Sequence, residues 1–394
     1  MGKPGSTIVA ACCFALLLCG TSFPESHAYE LVDEWGSSGS EDGQFLQPYG
    51  IAIDGDSNLF ISDPMNHRIQ KFTPEGEFLT KWGAYGHEEG QFIAPQGIDV
   101  DGDGNVHVAD FLNDRIQKFT PEGEFLDAWS TRMNGWWLYS TPRALAVDRE
   151  EGCVYVHHVS LTPPDLYYTC IQKFTSDGMF MDQWPFIWLD ALEMATDPEN
   201  NLYVPATIIG PVHIFNAGGD LVDQMQTCPP DEVFCTSTGI ALDNNGNIYV
   251  SDSLHHNIRK FTRDGTLITS IVLEGEDGFG VQPSPYGLAI DSEGNIYVAD
   301  AANDCIKKYS PVSTTTTTVP VCPVVILYGE KARETEALRL FRDGVLKTTP
   351  EGRQLVDLYY RLSPLIAQVL MGDEELKNAL RILLDSILAA YSIR

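Results

Sequence analysis

Pro48-Tyr-Gly-Ile-Ala-Ile-Asp54, Asn58-Leu-Phe-Ile-Ser-Asp63, His67-Arg-Ile-Gln-Lys-Phe72, Gly76-Glu-Phe-Leu79 and Trp82 decide the fold, because the chain writes them again. The second copy reads Pro95-Gln-Gly-Ile-Asp-Val-Asp101, Asn105-Val-His-Val-Ala-Asp110, Asp114-Arg-Ile-Gln-Lys-Phe119, Gly123-Glu-Phe-Leu126 and Trp129. Each copy holds four short runs that alternate or are β-branched, which is strand chemistry. Turn formers separate them, such as Asp101-Gly-Asp-Gly-Asn105 after the first run.

The Asp that closes the first run recurs at 54, 101, 148, 197, 243 and 291, at intervals of 47, 47, 49, 46 and 48 residues. That period is too long for leucine-rich or ankyrin units and suits a four-stranded propeller blade. Six such sheets around an axis bury their faces against each other, so the class is an all-β six-bladed β-propeller. The sixth copy ends at Cys305-Ile-Lys-Lys-Tyr309 without a fourth run, whereas Tyr29-Glu-Leu-Val-Asp-Glu-Trp35 is a fourth run without the first three. The N-terminal strand is therefore expected to complete the last blade and leave no free edge at the join.

Copies three and four depart from the pattern. Copy three inserts Ser160-Leu-Thr-Pro-Pro-Asp-Leu-Tyr-Tyr168, which reads as a loop, and copy four has Pro205 in place of Asp and a short Val212-His-Ile-Phe215. The repeated series, with Gly43-Gln-Phe45 and Gly90-Gln-Phe92 between blades, resembles the NHL repeat family over about residues 30–309. The resemblance implies the propeller fold. It does not fix a function, because relatives serve as protein-binding, RNA-binding, sensor and lyase domains.

The formal charge of −30 lies wholly in residues 29–319, which hold 14 basic and 44 acidic side chains. Such a surface repels phosphate backbones, so nucleic acid is not an expected partner. It also keeps an exported protein soluble and monomeric. Residues 1–28 read as a secretion signal: Lys3, the apolar Ile8 to Leu18, then Ser26-His27-Ala28 at a cleavage site. Lipoprotein processing at Cys12 or Cys19 is the competing reading. No later segment is apolar enough to span a membrane. Export to the periplasm, cell surface or exterior is expected, where six cysteines remain after cleavage. Cys228 and Cys235 bracket a short loop and are the disulfide candidate, while Cys153, Cys170, Cys305 and Cys322 allow three pairings.

Residues 310–321, with Thr314 to Thr318 between Pro311 and Pro320, read as a linker. Residues 322–394 turn to helical periodicity: Leu338, Phe341 and Val345, then Leu355, Leu358, Tyr359 and Leu362, then Leu376, Leu380, Leu383 and Ile387. A small all-α C-terminal domain is expected. The stretch from Cys322-Pro-Val-Val-Ile-Leu-Tyr-Gly-Glu330 to Ser363-Pro364 is similar to a C-terminal domain family of exported bacterial proteins that opens with a Cys-Phe-Ile box. Here Pro323-Val324 replace Phe-Ile.

One enzymatic NHL family, the peptidyl-hydroxyglycine lyases, holds zinc through histidines at the axial mouth. That resemblance places at least some of the ligands directly after the Pro that opens an inner strand. The positions here are Tyr49, Gln96, Arg143, Leu192, Thr238 and Tyr286, and none is His, which argues against that lyase chemistry. His67, His107, His157, His158, His213, His255 and His256 fall on or beside second and third strands and read as packing or surface residues. Asp101-Gly-Asp-Gly-Asn105 resembles the start of a calcium loop, but position twelve is Leu112; an Asx turn explains the recurring Asp better. No cofactor is expected, with calcium or zinc left open. Tyr49, Gln96, Arg143, Thr238 and Tyr286 form the candidate ligand site, suited to a polar small molecule, sugar or peptide end. The leading expectation is a noncatalytic binding or scaffold protein recognising protein, peptide or carbohydrate. The alternatives are a metal-dependent lyase or hydrolase with its site in the axial channel, and a structural surface-display protein.

Overall fold

A computed structural model describes residues 29–132, 140–162, 166–186, 191–207, 210–228, 235–273 and 284–312. The expected signal sequence, most of the linker, Cys322 and the expected helical domain lie outside the described residues. The described chain forms six four-stranded antiparallel sheets. Blade one runs Ile51–Ile53, Leu59–Asp63, Arg68–Phe72 and Phe78–Trp82 in order from the axis outward, and the other blades repeat this meander. Blade six takes its first three strands from Pro285–Ile290, Ile296–Asp300 and Cys305–Pro311. Its outer strand is Tyr29–Trp35, paired from Tyr29↔Pro311 to Trp35↔Ile306 with one irregularity between Leu31 and Asp33. The ring therefore closes as the sequence requires.

Second strands such as Leu59–Asp63 and Ile296–Asp300 are buried along their whole length, because each is covered by neighbours on both faces. Outer strands alternate, as in Phe78–Trp82. Three devices written in the repeat hold the blades. First, the Asp after each inner strand caps its own turn: Asp101 Oδ1 accepts the N–H groups of Asp103 and Asn105 at 3.1 and 2.8 Å, the Asx turn expected. Second, the Asp that ends the second strand fastens the connector. Asp63 Oδ1 accepts the Leu46 N–H at 2.9 Å, and its Oδ2 faces Arg68 Nε at 2.9 Å. Arg68 in turn donates to the carbonyls of Ser40, Glu41 and Gln44. Asp110 and Arg115 repeat the arrangement. In blades five and six the cation moves two residues along the third strand, to Arg259 and Lys307.

Third, in four of the blades the Trp of the outer strand lies over the turn glycine of the next blade. Trp35, Trp82, Trp129 and Trp184 cover Gly76, Gly123, Gly178 and Gly219, all at positive φ. At Gly123, φ is +87° and a Cβ would stand 2.6 Å from the Trp82 ring. Gly123→Ala is therefore expected to cost about 2–4 kcal/mol, from left-handed strain and overpacking together. Chemical denaturation measures it. A loss below about 0.5 kcal/mol, the range of an ordinary surface substitution, would contradict this packing.

The insertion of copy three does not form the loop its composition implied. It lengthens a hairpin, with Ser160↔Tyr168, Leu161↔Tyr167 and Thr162↔Leu166 paired. Leu and Tyr residues around the prolines have strand propensity, and the flanking strands Val154–Thr162 and Leu166–Phe174 extend through them. The short third strand of copy four, Val212–Phe215, pairs with Leu202–Pro205 so that Pro205 faces Val212.

Candidate functional site

The six inner strands stand side by side around the axis, and their repeat columns show what lines it. The first column is Tyr49, Gln96, Arg143, Leu192, Thr238 and Tyr286, and the second is Gly50, Gly97, Ala144, Glu193, Gly239 and Gly287. Small residues fill the second column because adjacent strands approach closely there. A Cβ on Gly239 would meet the Tyr286 carbonyl oxygen at 2.2 Å, and one on Gly287 the Tyr49 carbonyl oxygen at 2.4 Å. Two columns further, five alanines, Ala52, Ala146, Ala195, Ala241 and Ala289, accompany Asp99.

Glu193 and Asp99 are thus the acidic exceptions in two columns of small residues. Glu193 reaches across the axis from blade four. Its Oε2 accepts the Ile240 N–H of blade five at 3.0 Å and the Leu288 N–H of blade six at 3.1 Å. The Ile51 N–H of blade one completes the set. Each donor is the residue after a column glycine, so three repeat-equivalent amides converge on one carboxyl group. Asp99 accepts the Val100 and Val147 N–H groups, both at 2.8 Å, and Arg149 NH2 lies 3.9 Å away. Both acids are half-buried. Burial pushes the Glu193 carboxyl well above the usual range; the amide donors offset this in part, and the Asp99 charge adds to it. Burial raises Asp99 as well, against the pull of Arg149.

In the first column Tyr49 and Tyr286 meet, their rings stacked with centroids 5.2 Å apart and planes at 14°. Thr238 faces inward: its buried hydroxyl donates to the Pro285 carbonyl at 2.5 Å and lies 2.9 Å from Ser251 Oγ. It belongs to the wall between blades five and six. The Gln96 carbonyl accepts the Ser62 hydroxyl at 2.6 Å, while its enclosed Oε1 has no partner among the described residues. Arg143 is half-buried at the equivalent place in blade three.

Of the histidines, His107, His157 and His158 are buried, and His107 Nε2 lies 3.0 Å from Asp101 Oδ2. Among the described residues one cluster of metal-ligand type, Cys235, Asp252 and His255, brings its donor atoms within 4.8 Å of one another. The Cys235 sulfur is bonded to Cys228, with Cα atoms 5.6 Å apart, and Arg259 NH1 stands 3.2 Å from that sulfur and 3.0 Å from Asp252. A buried guanidinium already supplies the cation there. Cys153, Cys170 and Cys305 are buried free thiols.

Six four-stranded sheets meandering outward from one axis define a β-propeller. An NHL repeat pattern matches residues 234–261, in blade five, so the six-bladed β-propeller carries an NHL repeat. Over 45 residues it is 42% identical to the B-box type zinc finger protein ncl-1 of Caenorhabditis elegans and 40% identical to Protein brain tumor of Drosophila melanogaster. Each match spans 11% of this chain and only 5% and 4% of those proteins. Among solved structures, a gluconolactonase from Xanthomonas campestris aligns with a TM-score of 0.52 and 16% identity, over 74% of this chain and 97% of its own. A virginiamycin B lyase from Staphylococcus aureus aligns with a TM-score of 0.50 and 14% identity, over 72% and 99%. These likenesses concern the fold.

Proposed function

We propose that this protein is a noncatalytic recognition module whose axial mouth receives a polar ligand, a sugar or the end of a peptide. The observation that carries this reading is the Tyr49–Tyr286 stack, in the same inner-strand column as Gln96 and Arg143. Stacked phenols offer a flat apolar face to a sugar ring or peptide unit, and amide and guanidinium groups supply directional hydrogen bonds. Glu193 spends its oxygens on backbone N–H groups of neighbouring blades, and Asp99 on the Val100 N–H of its own strand and the Val147 N–H of blade three. That favours holding the ring over proton transfer. Export and a monomeric state fit this reading, as does exclusion of nucleic acid by the acidic surface.

Two acidic groups near enough for the Asp99 charge to raise the Glu193 carboxyl favour a second reading, a metal-dependent lyase or hydrolase. Metal analysis of the purified protein separates the two, since a stoichiometric divalent ion would support the enzyme. For the recognition reading, oligosaccharide and peptide arrays should return ligands whose affinity falls at least about tenfold in Tyr286→Ala and in Arg143→Ala, the loss of roughly one good contact. Ligands that bind both variants as tightly as wild type would exclude the mouth.

A further inference from the structure

We propose that the Cys228–Cys235 disulfide is a thiol–disulfide exchange site, opened by a dithiol, with Cys235 as the leaving thiolate. The two sulfurs sit in different surroundings. Cys235 is buried and Cys228 only half-buried, so an incoming thiolate reaches the Cys228 sulfur first. Arg259, its side chain 4% exposed, holds NH1 3.2 Å from the Cys235 sulfur. A fixed guanidinium stabilises the thiolate that this sulfur becomes, and a thiol of lower pKa leaves faster.

The rest of the surroundings are charged and paired. Asp252 Oδ2 lies 3.0 Å from Arg259 NH1 and 2.8 Å from His255 Nδ1. Asp252 opposes a second anion, whereas protonation of His255 would favour one. With Cys235 ionised and His255 protonated, the group holds two anions and two cations. The other buried thiols are placed differently: burial pushes Cys170 up to about 12 and also raises Cys153 and Cys305.

The chemistry balances with a dithiol as the electron donor. One thiolate attacks Cys228 Sγ, the sulfur–sulfur bond breaks, and its electron pair leaves on Cys235. The second thiolate of the donor then attacks the donor sulfur of the mixed disulfide and expels the Cys228 thiolate. Two electrons pass to the protein, the donor departs as its own disulfide, and the protons released go to Cys228 and to His255 or solvent.

The test uses the full chain, with dithiothreitol to reduce the wild-type bond and oxidised glutathione as the probe of the single variants. In Cys235→Ser the lone Cys228 thiolate should attack oxidised glutathione, keep one half as a mixed disulfide and expel the other as glutathione thiolate, and mass spectrometry locates the adduct. Cys228→Ser should form the corresponding adduct on Cys235 at least about tenfold more slowly, because that sulfur is buried and screened. The ultraviolet difference spectrum between reduced wild type and Cys235→Ser should show a thiolate titrating below the ordinary cysteine value of about 8.5. Arg259→Gln should move that titration upward and slow reduction of the bond about tenfold. Equal adduct formation in the two single variants, or a Cys235 thiolate that titrates at or above the ordinary value, would overturn the proposal. The wild-type titration decides even where Arg259→Gln does not fold.

Discussion

Removal of residues 29–35 is expected to leave a chain with no cooperative folded state. The Tyr29–Trp35 strand pairs along Ile306 to Pro311, and its loss exposes the backbone edge of Cys305–Pro311, an invitation to aggregation. Side chains from this strand also join three blades. Trp35 packs against Tyr297 of blade six and Phe72 of blade one, with centroids 6.4 and 6.3 Å away, and covers Gly76. The Tyr29 hydroxyl lies 3.0 Å from that of Tyr249 in blade five. Because the total stability of a domain is about 5–15 kcal/mol, losing the whole strand that closes the ring consumes most of it.

A graded version separates packing from pairing. Trp35→Ala should cost about 2–4 kcal/mol, less than a fully buried Trp because this one is half-buried. Trp35→Phe should cost about 1–2 kcal/mol, since the indole N–H has no partner among the described residues and only ring area is lost. Thermal and denaturant unfolding read both. A truncated chain that unfolds cooperatively at the wild-type midpoint would contradict the seam.

The second large effect is expected at Glu193. Glu193→Gly restores the residue that four other blades carry in this column, yet it should destabilise the protein by about 2–5 kcal/mol. The Ile240, Leu288 and Ile51 amides lose their shared acceptor, and an orphaned buried donor costs about 1–3 kcal/mol, offset in part where water enters the axis. Glu193→Gln keeps the volume but turns an NH2 group toward backbone donors. It should fall between wild type and the glycine variant.

The pH dependence follows from the direction of the shift. Glu193 holds its proton in the folded state at pH values where the unfolded chain has released it. Its contribution is therefore greatest below the unfolded value and declines as pH rises toward the folded one. Asp101 and Asp243, lowered by hydrogen bonds that outweigh their burial, act in the opposite sense, but below the ordinary carboxylate value. Above about pH 4.5 the raised acids dominate. Wild-type stability should fall with rising pH there, less steeply in Glu193→Gln, with Asp99, Asp63 and Asp110, also raised by burial, supplying the remaining slope and His213, lowered by burial, opposing it. Identical slopes in the two proteins would remove Glu193 from the account.

The fold was legible because its devices are local and repeated. An Asp, an Arg or a Trp at a fixed offset in a 47-residue period states both a strand and its anchor, and the orphan strands at the two ends state the closure. The candidate mouth was legible only as a column of positions. Sequence alone does not show that Tyr49 and Tyr286 stack while Thr238 turns into the wall, since that depends on how neighbouring blades meet. Glu193 and Asp99 were missed although a signal existed. Aligning the six inner strands puts a Glu among Gly and Ala, and an Asp among Ala. Departures from a repeat at sites of close approach mark where the symmetric fold has been put to a particular use. The hairpin of copy three was misread for another reason: two consecutive prolines signal a loop, but pairing of the residues around them overrides that local signal.

Amide hydrogen exchange along residues 29–35 tests the closed ring most directly. If Tyr29–Trp35 is the outer strand of the last blade, its ladder amides exchange only on unfolding of the whole propeller, as slowly as those of Cys305–Pro311. Exchange at the rate of an open chain end, with the other strands still protected, would mean that the ring is closed some other way.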